Sequence, residues 1–473
     1  MVQIQEFDPG SFRDRSARVV GQRDGLVFRA LKKSALEEWI WVSSRSFFQE
    51  GMSAQQIVRT RLVDREDCAA SDSGFDTDSD FIATLQHNRL PLITWPYEWS
   101  FSMLRDAALL QLDLMSRSLQ DDCILKDASA YNFQFLGTQP VLIDTPSIVR
   151  LKPGAPWDGY RQFCQMFLYP LMLQAWKGIH FQPWLRGSLE GILPEQFARM
   201  LSWFDLFRAG AMTHVWLHAR LQSVAETTVS TSSSLQTHGF NKQMIENNVA
   251  GLKRVISRLR WKDARSVWSE YDHVEGPVSR DGHQKELFVE QVCQSGPWKT
   301  VWDLGCNQGR YSRIAAKHAE LVVAMDADHL TIDRFYQTLR QEENRIIVPL
   351  VTDLSDPSPG LGWRGLERSP LDQRSQPNLV FCLALIHHLV IGRNLVLGDV
   401  IQWLASLQAT IVIEFVDRSD EQVQRLLRNR SDVFSDYNKK EFLRLITSQF
   451  LVQQQIVLPS GTRTLYQLRP LKP

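Results

Sequence analysis

Val301-Trp302-Asp303-Leu304-Gly305-Cys306-Asn307-Gln308-Gly309 runs from an apolar stretch through a glycine-bearing turn into a helix-compatible segment, and its reading decides the fold of the C-terminal part of this 473-residue chain. A buried parallel strand ending at Asp303 puts the next turn at the carboxyl edge of a sheet, where open α/β folds bind ligands. Gly305 and Gly309 remove side chains where backbone must approach a ligand and where the helix must pack close to its strand. The spacing matches neither the G-x-G-x-x-G of a dinucleotide site nor the G-x-x-x-x-G-K-[ST] of a P-loop.

The segments that follow extend the pattern. Leu321 to Met325, ending in Asp326, predicts a second strand, and Arg345 to Val351, followed by Thr352-Asp353-Leu354, a third. Asn378 to Cys382 and Ala409 to Glu414 predict a fourth and fifth, short apolar runs suited to the interior of a sheet. Helices are expected over Glu421 to Arg430 and Lys439 to Ile446, and Phe450 to Val457 with Arg463 to Leu468 predicts a closing hairpin through Pro459-Ser460-Gly461. In this order the segments resemble the class I S-adenosylmethionine (SAM)-dependent methyltransferases. One form of that family's first motif, D/E-x-G-C-x-x-G, is matched from Asp303 to Gly309 without a gap.

The resemblance implies an α/β fold, a Rossmann-like seven-stranded sheet with a final antiparallel hairpin, and SAM as cofactor. It implies that Asp303, Gly305, Cys306, Asn307, Gly309 and Leu383 frame the cofactor, that Asp326 grips the two ribose hydroxyls, and that Asp353 meets the adenine amino group. The stretch Leu383-Ala384-Leu385-Ile386-His387-His388-Leu389 lies where such enzymes place residues between cofactor and acceptor. Neutral imidazole accepts a proton near pH 7, and adjacent positions on a helix do not share a face. One of His387 and His388 is therefore expected in the site, and the family's frequent His-His-Leu ending favours His388. Glu414 and Asp417 follow the fifth strand, as anchors for a hydroxylated or cationic acceptor or as caps for the next helix. Arg463 is either a partner for an anionic substituent or an exposed turn arginine.

The N-terminal half reads differently. A hairpin is expected from Ala17 to Val20 and Leu26 to Arg29, a helix from about Ser34, a polar acidic loop from Asp64 to Asp80, and a long helix from Met103 to Leu119. Leu125-Lys126-Asp127-Ala128-Ser129-Ala130-Tyr131-Asn132, followed by Val141-Leu142-Ile143-Asp144, resembles the catalytic loop and metal-binding strand end of protein-kinase-like phosphotransferases. Asp127 and Asn132 have the spacing of that loop, and Asp144 stands where a second metal-binding acid follows a hairpin. Leu125 replaces the usual histidine, no Phe-Gly follows Asp144, and no G-x-G-x-x-G precedes the region. These departures favour a degenerate α+β kinase-like scaffold without ATP chemistry, with a phosphotransferase or bifunctional enzyme using Asp127, Asn132 and Asp144 as the alternative.

Residues 151 to 222 are aromatic-rich and expected to be helical, notably Tyr160 to Trp176 and Leu201 to Leu217. The Ser/Thr tract Thr227 to Ser234 breaks all periodicity. The resulting plan is a kinase-like substrate or scaffold domain over 1–222, a linker over 223–239, a helical connector or lid over 240–295, and a methyltransferase domain over 296–473. Tyr271 and Phe288 are pocket candidates within that lid.

Composition bounds the partners. With 53 basic and 53 acidic side chains there is no global field to attract nucleic acid. The local run Lys253, Arg254, Arg258, Arg260, Lys262 and Arg265 reads as the solvated face of an amphipathic helix. The opening residues carry Glu6 and Asp8 and no apolar core, no apolar run is long enough to cross a bilayer, and Cys68, Cys123, Cys164, Cys293, Cys306 and Cys382 are scattered without zinc-site spacing. A cytoplasmic protein with reduced cysteines, no bound metal and no membrane partner is expected. Across its length, from Pro96-Tyr97-Glu98-Trp99 and Tyr160-Arg161-Gln162-Phe163 to Leu458-Pro459-Ser460-Gly461-Thr462-Arg463, the chain resembles long bacterial methyltransferases of nodulation and glycan gene sets. The implied reaction is methylation of a hydroxyl on a sugar, glycoconjugate or other small metabolite; a protein-directed methyltransferase or SAM-binding scaffold remains open.

Overall fold

The computed structural model describes residues 7–23, 25–63, 80–220, 241–262, 280–428 and 433–471. The chain divides into two compact units, Met1–Lys262 with Gly360–Ser369, and Asp263–Pro359 with Pro370–Pro473. Most of the acidic loop, the linker over 223–239, Cys68 and Tyr271 lie outside the described residues.

In the first unit, β1 (Ala17–Arg23), β2 (Leu26–Lys32), β3 (Thr60–Val63) and β4 (Phe81–Asn88) form an antiparallel sheet in the order β1-β2-β4-β3. The long expected helix spans Phe101–Gln120, and its buried residues cover far more than one stripe, which makes it a core helix. Its start is capped by Ser100, whose hydroxyl accepts the Met103 N–H at 3.4 Å. β5 (Cys123–Leu125) pairs with β8 (Ile148–Arg150), and β6 (Phe133–Leu136) with β7 (Gln139–Leu142). Asp127 and Asn132 lie between β5 and β6, and Asp144 follows β7.

Two features of this unit bear on the sequence expectations. The helix expected over Leu201 to Leu217 is interrupted: a short turn at Trp203–Phe207 is separated from a helical segment at Ala211–Trp216 by Gly210, at φ 86°. A left-handed residue cannot continue a right-handed helix. The helix Lys242–Arg258 buries Ile245, Val249, Leu252, Val255 and Ile256 and packs on Phe101–Gln120. Its polar side carries Lys253, Arg254 and Arg258, with Lys253 3.0 Å from Asp113, while Arg260 and Lys262 follow the helix end and Arg265 lies outside the described residues.

In the second unit, β9 (Trp298–Leu304), β10 (Ala319–Asp326), β11 (Ile347–Val351), β12 (Leu379–Cys382), β13 (Thr410–Val416), β14 (Phe450–Val457) and β15 (Arg463–Pro470) form one sheet. The order is β11-β10-β9-β12-β13-β15-β14, with the first five parallel and β15 antiparallel to both its neighbours. The interior strands are buried along nearly their whole length, whereas edge strand β14, after a buried Phe450, alternates exposed and half-buried positions. Helices including Arg280–Gln294 and His329–Gln341 bury one side each, contributing Val289, Val292, Ile332 and Phe335 to the core around Val301, Val322 and Phe381. This is the seven-stranded order of the class I methyltransferase fold. Phe288 belongs to that core rather than to a pocket wall.

The β11–β12 connection contains Gly360–Ser369, which belongs to the first unit. There Arg13 Nε meets Glu367 Oε1 at 2.7 Å, Arg368 Nη1 donates to the Tyr131 hydroxyl at 2.9 Å, and Trp95 Nε1 donates to the Ser369 carbonyl at 3.0 Å. Among the described residues no helix is long and apolar enough to cross a membrane.

Candidate functional site

Chain order reverses at β9. β10 and β11 lie on one side of it, β12 and β13 on the other, so the crevice beyond the carboxyl ends of β9 and β12 is a topological switch point. Two loops border it: the turn after β9 and the segment from Leu383 to His388.

The turn after β9 is held open by alternating left-handed residues, Gly305 at φ 71°, Asn307 at φ 48° and Gly309 at φ 75°. The N–H groups of Gly305 and Cys306 both donate to the Met325 carbonyl, at 2.8 and 2.9 Å. The Asn307 N–H donates to Asp326 Oδ2 at 3.0 Å, while Asp326 Oδ1 accepts the Asp328 N–H at 2.9 Å. The end of β10 is thereby tied to the turn after β9 through one carboxylate. Gly309 is required for two reasons: its positive φ, and the Phe335 ring, into which any Cβ would run. Its close approach is to that ring, a helix-packing constraint. Cys306 is buried in the core and its thiol is held well above its usual range by loss of hydration.

Asp303 does not open onto the crevice. It is buried, and its Oδ2 accepts the Ser312 hydroxyl at 2.5 Å, pinning the strand end to the helix Arg310–Ala315. Burial lifts its carboxyl from 3.8 to about 7, with Asp326 nearby adding to the rise. A carboxyl raised by folding binds more protons folded than unfolded. Its contribution to stability is complete below pH 3.8 and is lost as pH rises through about 7. Asp303→Asn keeps an acceptor for Ser312 and removes this titration. A thermal-melt series from about pH 4 to about pH 8 should show the wild-type chain losing stability relative to the variant over that window. Parallel pH profiles for the two proteins would mean that Asp303 ionises unhindered.

Burial also raises the Asp326 carboxyl, against the opposing pull of its backbone N–H partners. Asp353, one residue beyond Thr352 at the end of β11, is engaged on both oxygens: Oδ1 accepts from the Ser355 N–H and hydroxyl at 2.9 and 2.6 Å, and Oδ2 pairs with Arg393 at 2.8 Å. Asp417 accepts from Ser419 in a local turn.

The loop after β12 rests on charges invisible in its own sequence. Leu383 is buried, and Ala384 sits at φ 47° with its N–H donated to Glu414 Oε2 at 2.9 Å. Glu414 lies inside β13 with no exposed surface; its Oε1 is 2.9 Å from Lys285 Nζ and 3.5 Å from Arg463 Nη1. Arg463 in turn pairs with Asp420 at 2.8 and 3.3 Å, and Asp420 caps the helix Glu421–Leu427 through the Gln422 N–H. Arg463 is thus a buried member of an ion cluster rather than an exposed turn residue. Glu414, a candidate acceptor anchor in the sequence, is committed to this cluster and to the loop backbone.

His387 is completely buried, neither ring nitrogen has a hydrogen-bond partner among the described residues, and burial holds its pKa well below the usual value, with His388 and Arg463 pushing the same way. His388 is half-buried, its ring centroid 4.2 Å from that of His387. The two neighbours therefore occupy different environments, one internal and one accessible. Lys285 and Asp420 are the cluster residues that sequence reasoning did not name. Lys285 gave no signal, because a lysine in a polar-looking helix is ordinarily solvated.

The nodulation protein NoeA of Rhizobium meliloti (strain 1021) is 35% identical over 462 residues, covering 97% of this chain and 94% of that protein. No family model matches the chain. Among solved structures, the N-methyltransferase NodS of Bradyrhizobium japonicum WM9, crystallised with S-adenosyl-L-homocysteine, aligns with 12% identity over 41% of this chain and 90% of its own, at a TM-score of 0.31. The magnesium protoporphyrin IX methyltransferase ChlM of Synechocystis PCC 6803, with the same bound product, aligns with 16% identity over 43% of this chain and 93% of its own, also at 0.31.

Proposed function

The chain belongs to the family of the nodulation protein NoeA, and from that premise we propose that its C-terminal unit transfers a methyl group from SAM to a hydroxyl of a sugar, glycoconjugate or other small metabolite. One observation carries the proposal: at the switch point of a class I sheet, a single carboxylate, Asp326, ties the left-handed turn after β9 to the end of β10.

The donor set fits the cofactor. Asp326 Oδ2 accepts the Asn307 N–H and Oδ1 the Asp328 N–H, and a carboxylate has about four acceptor sites, which leaves capacity for the hydroxyls of a ribose. Gly305 brings backbone rather than bulk to the crevice. Asp353, already balanced by Arg393 and Ser355, is a polar wall on the adenine side, and Leu383 an apolar one. Bound there, SAM supplies an electrophilic methyl group on a positively charged sulfur. The chain's own work is then placement, since holding two reactants in attack geometry removes most of the entropic barrier.

Within that division, Asp303 and Glu414 act as positioning groups. Asp303 fixes the helix after the turn through Ser312, and Glu414 fixes the Ala384 backbone that leads to the histidines. His388, the accessible imidazole, takes the proton from the acceptor hydroxyl, and His387 is its packed neighbour. In the first unit, Arg29 occupies Asp144 as an ion-pair partner. A magnesium ion on that acid would have to displace the guanidinium, so phosphoryl transfer is the less favoured activity for Asp127, Asn132 and Asp144.

Replacing Asp326 by Ala should weaken SAM binding by about 2–5 kcal/mol, the range for removing one partner of a buried charged hydrogen-bond network. Isothermal titration of the folded variant reads this directly, and unchanged affinity would take Asp326 out of the cofactor site.

A further inference from the structure

The first unit contains a cleft of about 810 Å³ that methyl transfer leaves unexplained. All its lining residues belong to that unit. Val19 and Val27 of the β1–β2 hairpin and Ile143 after β7 give it apolar walls. Its charges fall into two sets. Most are spent within the protein: Asp8 accepts the Gly10 N–H at 2.8 Å, Asp14 accepts from Ser16 and Ala17 at 2.8 and 3.0 Å, Arg13 pairs with Glu367, and Arg29 pairs with Asp144.

Among the described residues the second set is unspent, and it includes the cations Arg15 and Lys126. Among the described residues the Asp127 carboxylate has no hydrogen bond or ion pair, the Asn132 amide has no partner, and Gln162 uses only its oxygen, on the Ala128 N–H at 2.8 Å. His87 is 4% exposed; its Nδ1 meets Thr60 Oγ1 at 2.8 Å, while Nε2 has no partner. Asp127 is exposed and Asn132 and Gln162 are half-buried, all within reach of a ligand, whereas His87 Nε2 is buried and unpaired, and such an atom is ordinarily satisfied by water or ligand.

We propose that this cleft binds a polyhydroxylated ligand, a free sugar or a segment of a glycan chain, held by Asp127, Asn132, His87 and Gln162. A hydroxyl both donates and accepts, so it satisfies a carboxylate, an amide and a neutral imidazole in turn. Burial and Arg29 hold His87 well below its usual pKa, which keeps that ring neutral. Trp95 and Tyr131, with ring centroids 6.0 Å apart, add aromatic surface for the C–H faces of a pyranose. Arg15 and Lys126 line the same cleft as Asp127, and the buried Arg29 Nε has no hydrogen-bond partner among the described residues, so acidic as well as neutral saccharides suit the site.

The inference goes beyond methyl transfer and is tested separately from it. The labelled full chain is applied to an array of neutral and acidic oligosaccharides, and the saccharide retained most strongly is titrated into wild type, Asp127→Ala and Asn132→Ala. The expected result is retention of a defined saccharide class, with affinity falling about tenfold or more in each variant, as for loss of a charge-assisted or bidentate hydrogen bond. SAM titration and circular dichroism on the same samples report folding, so failure of the cleft and failure of the cofactor site are read apart. No saccharide retained, or retention that both variants preserve, would overturn the proposal. So would micromolar binding of magnesium-ATP that disappears in Asp144→Asn, which would make the cleft a phosphotransfer site.

Discussion

Lys285→Met is expected to cost the chain about 3–5 kcal/mol of stability, because it strands a buried carboxylate. Lys285 and Glu414 are 2% and 0% exposed and 2.9 Å apart, with Arg463 a more distant partner at 3.5 Å that is itself committed to Asp420. Methionine matches the length of the lysine stem, so the loss reports the charge rather than a cavity. The double variant Lys285→Met/Glu414→Gln removes both charges and should recover much of the loss, as buried pairs often break even against neutral groups of similar shape. Urea unfolding of the full chain, with hydrogen exchange followed on peptides covering β12 and β13, measures both quantities. The same exchange data test the positioning role: the Ala384 N–H, donated to Glu414, should lose protection in Glu414→Ala even where the strands stay protected. A single variant within about 1 kcal/mol of wild type would show that water reaches the pair.

The legible and illegible parts of this site separate by the range of the interactions that make them. Asp303 to Gly309 could be read because strand end, turn and helix start are one contiguous signal, and the successive strands followed because each apolar run is local, while their assembly into one sheet was implied by the family resemblance. The closing hairpin was read to within a residue or two for the same reason. The ion cluster could not be, since Lys285, Glu414, Asp420 and Arg463 come from four separate elements and each looks ordinary in its own neighbourhood. Glu414 therefore resembled a substrate anchor, and Arg463 a solvated turn residue. Asp303 illustrates a subtler limit: the motif located it, but only the contact with Ser312 shows that it supports the turn from behind. Gly360–Ser369 lies between two strands of one unit in sequence and belongs to the other in space, which no local pattern announces. In the helical block of the first unit, aromatic periodicity over Leu201 to Leu217 suggested one helix where Gly210 turns the chain.

His388→Ala should leave SAM affinity nearly intact while lowering single-turnover methyl transfer by about 10²–10⁴-fold, the range of general base catalysis. The choice between the two histidines follows from their surroundings. A base must reach a proton on the acceptor and then hold a positive charge, and His387 is poorly placed for both: it is fully enclosed, and Lys285 and Arg463 join burial in opposing its protonation. His388 is half-buried at the exit of β12, on a loop whose backbone is fixed by Glu414 through Ala384. The two variants should consequently fail in different ways. His388→Ala should lose rate with little change in unfolding, and the pH–rate limb belonging to its deprotonation should disappear. His387→Ala should lose stability by vacating a packed site, with rate falling only as far as the loop is displaced. Single-turnover transfer of a labelled methyl group to an acceptor that supports wild-type turnover, followed across pH for both variants, separates these outcomes. Unchanged transfer in His388→Ala would remove it as the base; loss of the same pH limb in His387→Ala alone would move that role to the buried ring.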